Sequence, residues 1–272
     1  MESPSTQNTD TTDYSKYSLS NFPVTAGDKI AVWFSCGAAS AVALQQTLLK
    51  YPDCEVHAVN NPVIEEDADN QRFADDVGRW LGVDIERAFN PKYPAGSAVE
   101  VWTDRRYMAG IHGAPCTAEL KKEARRHWET KHKPDWHVLG FTVDEAKRYK
   151  RFITTERDNV LPVLIDAGLS KEDCFQIITD AGLQLPHMYH LGFPNSNCVG
   201  CPKATSATYW SAVKKEYPDV FEARAAMSRE IGARLVRYKG ERMFLDELPE
   251  GAKGRPMKSM QIECGIFCEE IE

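Results

Sequence analysis

No stretch of the 272-residue sequence approaches the ~20 consecutive apolar residues that cross a bilayer, which argues against a helical membrane protein. The opening residues, MESPSTQNTD, lack the basic-then-apolar order of a secretory signal, so a cytoplasmic protein is expected. No internal repeat is visible, and no Gly-Lys-Ser/Thr follows the first strand to make a Walker A loop. The three spaced glycines of a dinucleotide fingerprint are missing as well. Neither sign of charge dominates: 33 Lys+Arg face 40 Asp+Glu, for a formal charge of −7. With 27% charged, 10% aromatic and 42% hydrophobic residues, the chain has the composition of a globular protein with a real core. Its length allows one large domain or two small ones. What it does have is eight cysteines. In a reducing cytosol these point to metal binding or redox catalysis rather than to a disulfide framework.

Residues 1–28 hold ten Ser or Thr and no helical or strand period, and read as a flexible leader. From Lys29 the apolar run Ile30–Phe34 predicts a buried strand, followed by the small residues Ser35-Cys36-Gly37-Ala38-Ala39-Ser40 and a helix over Ala41–Lys50. Further strands are expected at Cys54–Val59, Asp84–Phe89 and Trp136–Phe141, with an amphipathic helix at Asp69–Leu81. Strands separated by helices imply a doubly wound, mostly parallel α/β sheet, here placed within 29–165. The remainder, 166–272, reads as a helical, cysteine-bearing part. Its helices are expected at Lys171–Ala181, Ser206–Tyr217 and Val220–Ile231, with a strand or hairpin at Met243–Leu245.

A small-residue loop between a strand and a helix lets backbone N–H groups approach an anion, although it equally permits close helix–sheet packing. Cys198-Val199-Gly200-Cys201 is a CxxC able to ligate a metal or one edge of a cluster. A redox pair is disfavoured because no strand pattern precedes it. Cys116 precedes a basic helix over Glu119–Thr130, where Lys121 and Lys122 favour a thiolate. Cys264 and Cys268 are near-terminal thiols, Cys36 faces a ligand or fills space, and Cys54 and Cys174 read as packing residues. Residues 105–157 carry 13 Lys+Arg and 7 Asp+Glu, a local +6, which suits an anionic substrate.

Together these motifs resemble the phosphoadenylyl-sulfate (PAPS) reductase family and its sulfur-transferring relatives, within the PP-loop-related adenine-nucleotide α-hydrolase-like superfamily. Ser35, Cys36, Gly37, Ala38 and Ser40 stand in the family's phosphate loop. Gly140-Phe141-Thr142 with Glu145, Arg148 and Arg151 resembles its nucleotide-holding segment. Cys116 with Lys121, and Cys198 with Cys201, resemble the two cluster motifs. Glu263-Cys264-Gly265-Ile266 resembles the segment carrying the nucleophilic cysteine. There are departures. Thr117 replaces a second cysteine, which leaves three ligands for a [4Fe–4S] cluster, and Ala39 replaces the acid of the ATP-cleaving loop. Phe267 replaces a histidine, Cys268 is an extra thiol, and Thr142 stands where the reductases often have Arg.

The resemblance implies an enzyme of sulfur metabolism that reduces an adenylyl sulfate (APS or PAPS) to sulfite. In that reading Cys264 is the nucleophile, and Cys268 or a thioredoxin-like or small-thiol partner is the reductant. The alternative is an iron–sulfur, ATP-dependent sulfurtransferase acting on tRNA, DNA or a nucleotide. A third reading is a zinc-stabilised binding protein without catalysis. A homodimer is compatible with each.

Overall fold

The computed structural model describes residues 21–110 and 113–257. Five strands form one parallel sheet in the order β3-β2-β1-β4-β5, from β1 (Lys29–Trp33), β2 (Glu55–Asn60), β3 (Ile85–Arg87), β4 (Trp136–Val138) and β5 (Val160–Leu161). The apolar run of β1 is explained by burial on both faces. Ile30 and Val32 meet α1 (Ala38–Lys50), α2 (Asp69–Leu81), α7 (Val163–Asp166) and α8 (Lys171–Asp180). Ala31 and Trp33 meet Trp128 of α5 (Ala124–His132) and Tyr149 and Phe152 of α6 (Ala146–Thr155). The expected α/β class, doubly wound and parallel, is the observed one.

A second body of apolar contacts lies beside the sheet. It joins α3 (Ala98–Arg105), the short α4 (Pro115–Thr117), α9 (His187–His190), α10 (Ala207–Glu216), α11 (Pro218–Ile231) and the antiparallel hairpin β6 (Val236–Tyr238)–β7 (Glu241–Met243). The packing does not follow a division at residue 165. Cys174 and Ile178 of α8 belong to the sheet, whereas Val63, Trp102, Met108 and Leu120 belong to the helical cluster.

Two local readings change. The last part of the expected leader is packed: Phe22 meets Trp136 edge-to-face at 6.0 Å, and Asp28 accepts from the Trp136 indole at 2.8 Å. The helix expected from Glu119 begins at Pro115, whose fixed φ suits a first turn, and runs through a π-helical segment, Ala118–Glu123, before α5. Among the described residues no helix is long and apolar enough to cross a membrane.

Candidate functional site

The strand order reverses direction at β1. Chain continues from it towards β2 on one side, and β4 returns on the other. In open α/β sheets the crevice beyond the carboxyl ends at such a switch point is the usual ligand site. The small-residue loop sits there. Ser40 Oγ donates to Gly37 O at 2.8 Å and accepts from the Ser35 N–H at 3.1 Å, with Ser35 Oγ 3.3 Å away. The loop thus closes on itself at the N-terminus of α1. Cys36 holds φ +56°, a left-handed conformation that a non-glycine residue adopts only when its surroundings fix it. Gly140, two residues beyond β4, lies directly against this turn. A Cβ there would stand 2.9 Å from Ala39 C and from Ser40 N. The Tyr189 hydroxyl abuts Gly37 from the other side and hydrogen-bonds the Ala38 backbone.

A cleft of about 670 Å³ opens beside this loop, along the ends of β2 and β3 and the flank of α2. Cys36, Asn60, Glu66, Asp67, Asp84 and Arg87 are among its walls. The volume suits a nucleoside-sized ligand. Asn60 fixes the floor, its amide donating to Phe34 O at 2.7 Å and reaching Cys36 Sγ at 3.6 Å. Burial, followed by the nearby Glu66 carboxylate, pushes the Cys36 thiol well above its ordinary range, so it stays protonated.

The wall loop after β2 ties the cleft to the cysteines. Lys121, on the π-helical segment five residues beyond Cys116, donates to Asn61 O and to Glu66 Oε1 at 3.0 Å, with both side chains nearly buried. Asn70 donates to Ser196 O at 3.0 Å, and the Val199 N–H donates to Glu65 O at 2.8 Å. Glu65 in turn caps α3 through the N–H groups of Ala98 (2.8 Å) and Val99 (3.1 Å).

Cys116, Cys198 and Cys201 are all buried and share one hydrophobic cluster. The CxxC turn is held by Tyr209, whose phenol accepts from the Cys201 N–H at 2.9 Å and donates to Cys198 O at 3.4 Å. Gly200 takes φ +68° and packs so closely that a Cβ would meet Arg224 Cγ at 3.1 Å and Val220 Cγ1 at 3.2 Å. Arg224 is buried over the Trp102 ring (4.8 Å), and its Nε has no hydrogen-bond partner among the described residues. Burial lowers its pKa, while Glu65 and the thiols of Cys198 and Cys201 act to raise it. A buried cation with an unused donor beside buried thiols fits an anionic iron–sulfur cluster.

The remaining expected residues fall nearby. Glu145 and Arg148 pair at 2.5 Å just past Gly140, with the Arg148 guanidinium 5.1 Å over Phe141, and Arg151 is exposed on α6. Cys264 and Cys268 lie outside the described residues. Cys174 is fully buried, as expected of a packing residue, whereas Cys54 is half-buried with Sγ 3.3 Å from Thr25 O. Glu66, Asn60 and Lys171 are missed by the sequence reading. Lys171 donates to Pro194 O and stands 5.7 Å over the Tyr189 ring; burial lowers its pKa against the opposing pull of Glu145. A single lysine opening a helix carries no motif, and the acidic run Glu65–Asp69 resembles an ordinary solvated turn.

No protein-family model and no curated protein matches the sequence. Among solved structures, the U34-tRNA thiolase NcsA from Methanococcus maripaludis with its [4Fe–4S] cluster is similar at 12% identity and a TM-score of 0.46. The match covers 90% of this chain and 84% of that one.

Proposed function

We propose that this chain is an iron–sulfur sulfurtransferase that uses an adenine nucleotide to thiolate a nucleic-acid base or a nucleotide. The observation that carries the reading is the burial of Cys116, Cys198 and Cys201 in one hydrophobic cluster behind the wall of a switch-point cleft, with the buried Arg224 near Cys198 and Cys201. The turn Ser35–Ser40 and the N-terminus of α1 receive phosphate, and Gly140 admits it by leaving the turn uncrowded. The cleft takes the adenosine. Its walls, with Glu66, Asp67, Asp75 and Asp84 against Arg79 and Arg87, suit hydroxyl and amine donors better than a phosphate chain. Exposed Lys147, Lys150 and Arg151 on α6 face solvent next to the switch point and suit the phosphates of an acceptor. Cys116, Cys198 and Cys201 would hold a [4Fe–4S] cluster, which would supply an iron able to take up exogenous sulfur.

Sulfonucleotide reduction draws no support from the described residues. Its nucleophile and resolving thiol would be Cys264 and Cys268, and the described thiol lining the cleft, Cys36, is held protonated. Ala39 leaves the loop without a carboxylate, so the test varies the nucleotide. Full-length, cluster-loaded protein is incubated anaerobically with sulfide and either ATP plus tRNA, ATP plus DNA, adenylyl sulfate or PAPS. Digested nucleosides are analysed by mass spectrometry and sulfite is assayed. A thionucleoside formed only with ATP and lost in Cys198→Ser is the expected result. Sulfite released from a sulfonucleotide, and lost in Cys264→Ser, would overturn the proposal in favour of reduction.

A further inference from the structure

On the sheet face that packs against α5 and α6, away from the cysteines, three side chains from three elements converge. His57 of β2, Glu86 of β3 and His132 in the last turn of α5 place one ligand atom each within 4.8 Å of one another. His57 Nδ1 lies 2.7 Å from Glu86 Oε1. All three are half-buried, leaving one side of the group open to water.

Each of the three is fixed by a further group. Glu55 Oε1 lies 2.9 Å from His57 Nε2, so the imidazole presents Nδ1 to the centre. The Trp128 indole donates to Glu86 Oε2 at 2.9 Å and leaves Oε1 facing His57. The Trp128 ring also stacks on His132, with centroids 4.1 Å apart and 5° between planes. A carboxylate behind a ligating imidazole, and a donor on the distal oxygen of a ligating carboxylate, are the outer contacts that orient metal ligands.

We propose that His57, Glu86 and His132 form a binding site for a borderline divalent cation, zinc foremost, with water in the remaining position. Zinc bonds of 2.0–2.2 Å to nitrogen and oxygen put neighbouring ligand atoms about 3.3 Å apart, so the 2.7 Å between His57 and Glu86 widens a little and the other separations, all within 4.8 Å, adjust to match. The cation takes the place of the contact between His57 Nδ1 and Glu86 Oε1. Bound there, it fastens the end of α5 to the edge of the sheet. Because α5 continues the helical run that begins at Pro115, the site also braces the segment carrying Cys116 and Lys121. This site is independent of the sulfurtransferase reading.

Cobalt titration of the full chain tests it, because cobalt substitutes for zinc and its spectrum reports the ligands. The expected result is a visible ligand-field absorption without the sulfur-to-cobalt charge-transfer bands that cysteine ligation gives. That absorption persists in Cys198→Ser and is lost in His132→Gln. Glu55→Gln, a change at an exposed carboxylate outside the ligand set, weakens cobalt binding about tenfold. Circular dichroism confirms that both variants fold. If the chain takes up no cobalt apart from thiolate-ligated ion, or if His132→Gln leaves the sulfur-free absorption unchanged, the proposal is wrong.

Discussion

Gly140 is defined by what stands against it. Its Cα faces the Ala39 carbonyl carbon and the Ser40 nitrogen, both backbone atoms at the first turn of α1, so an added methyl group has nothing flexible to displace. Gly140→Ala must move either the end of β4 or the phosphate-type turn. Overpacking of this kind costs about 1–3 kcal/mol. The variant is expected to unfold at lower denaturant concentration and to bind adenine nucleotide at least tenfold more weakly in a calorimetric titration. Unchanged midpoint and affinity would show that the two segments can separate freely. The neighbouring Cys36 illustrates the opposite constraint. Its buried thiol lies at the cleft wall within 3.6 Å of the Asn60 amide, while its left-handed backbone shapes the turn. Composition shows a cysteine there and conceals both facts.

At the scale of elements, the link between cysteines and cleft is the ion pair of Lys121 with Glu66. One partner sits on the π-helical segment, a form that recurs at functional sites, and the other on the loop after β2. Removing one member of a buried pair strands the other's charge, at a cost of about 3–5 kcal/mol. Lys121→Met is therefore expected to be strongly destabilising in urea titration, and Glu66→Gln added to it should recover much of the loss. Additive losses in the double variant would mean that the pair is not coupled. Sequence pattern reaches some elements and not others. The helix Asp69–Leu81 is legible to the residue because Phe73 and Val77 repeat at helical spacing on an otherwise polar segment. The two-residue β5, Val160–Leu161, is too short to show a period. The π-helical segment disturbs spacing without marking itself. Lys121–Glu66 and His57–Glu86–His132 join positions far apart in the chain, so no local motif announces them. The cysteine spacing, by contrast, names its candidates outright, because CxxC brings its two sulfurs to one turn by local geometry.

For the molecule as a whole, the basic segment pairs part of its charge within itself, Arg105 with Glu119, Arg126 with Glu123, Arg148 with Glu145 and Arg157 with Glu129, and its +6 is what remains once all seven of its acids are counted. A sensitivity to acid is expected from the sheet. His137 occupies the middle of β4, buried, and its Nδ1 accepts the Trp33 indole N–H at 3.0 Å, which requires that nitrogen unprotonated. Burial, reinforced by the guanidinium groups of Arg157 and Arg125, pushes its pKa down to about 3 from an ordinary 6.5. The sign follows directly. Between those two values the unfolded chain binds a proton that the folded chain refuses, so stability falls as pH drops through about 6.5 and continues to fall until about 3. Well inside that window the slope due to this one group is about 1.4 kcal/mol per pH unit. Urea midpoints measured from about pH 6 down to about pH 4.5 separate it from most carboxylate titrations, and comparison with His137→Gln separates it from the other histidines. His137→Gln keeps an acceptor for Trp33 but cannot bind the proton. It is expected to be less stable than the parent at neutral pH, from imperfect packing, and to lose less stability on acidification. Parallel pH profiles for parent and variant would place the acid sensitivity elsewhere, for example in Asp69, which holds Arg72, rather than at the centre of the sheet.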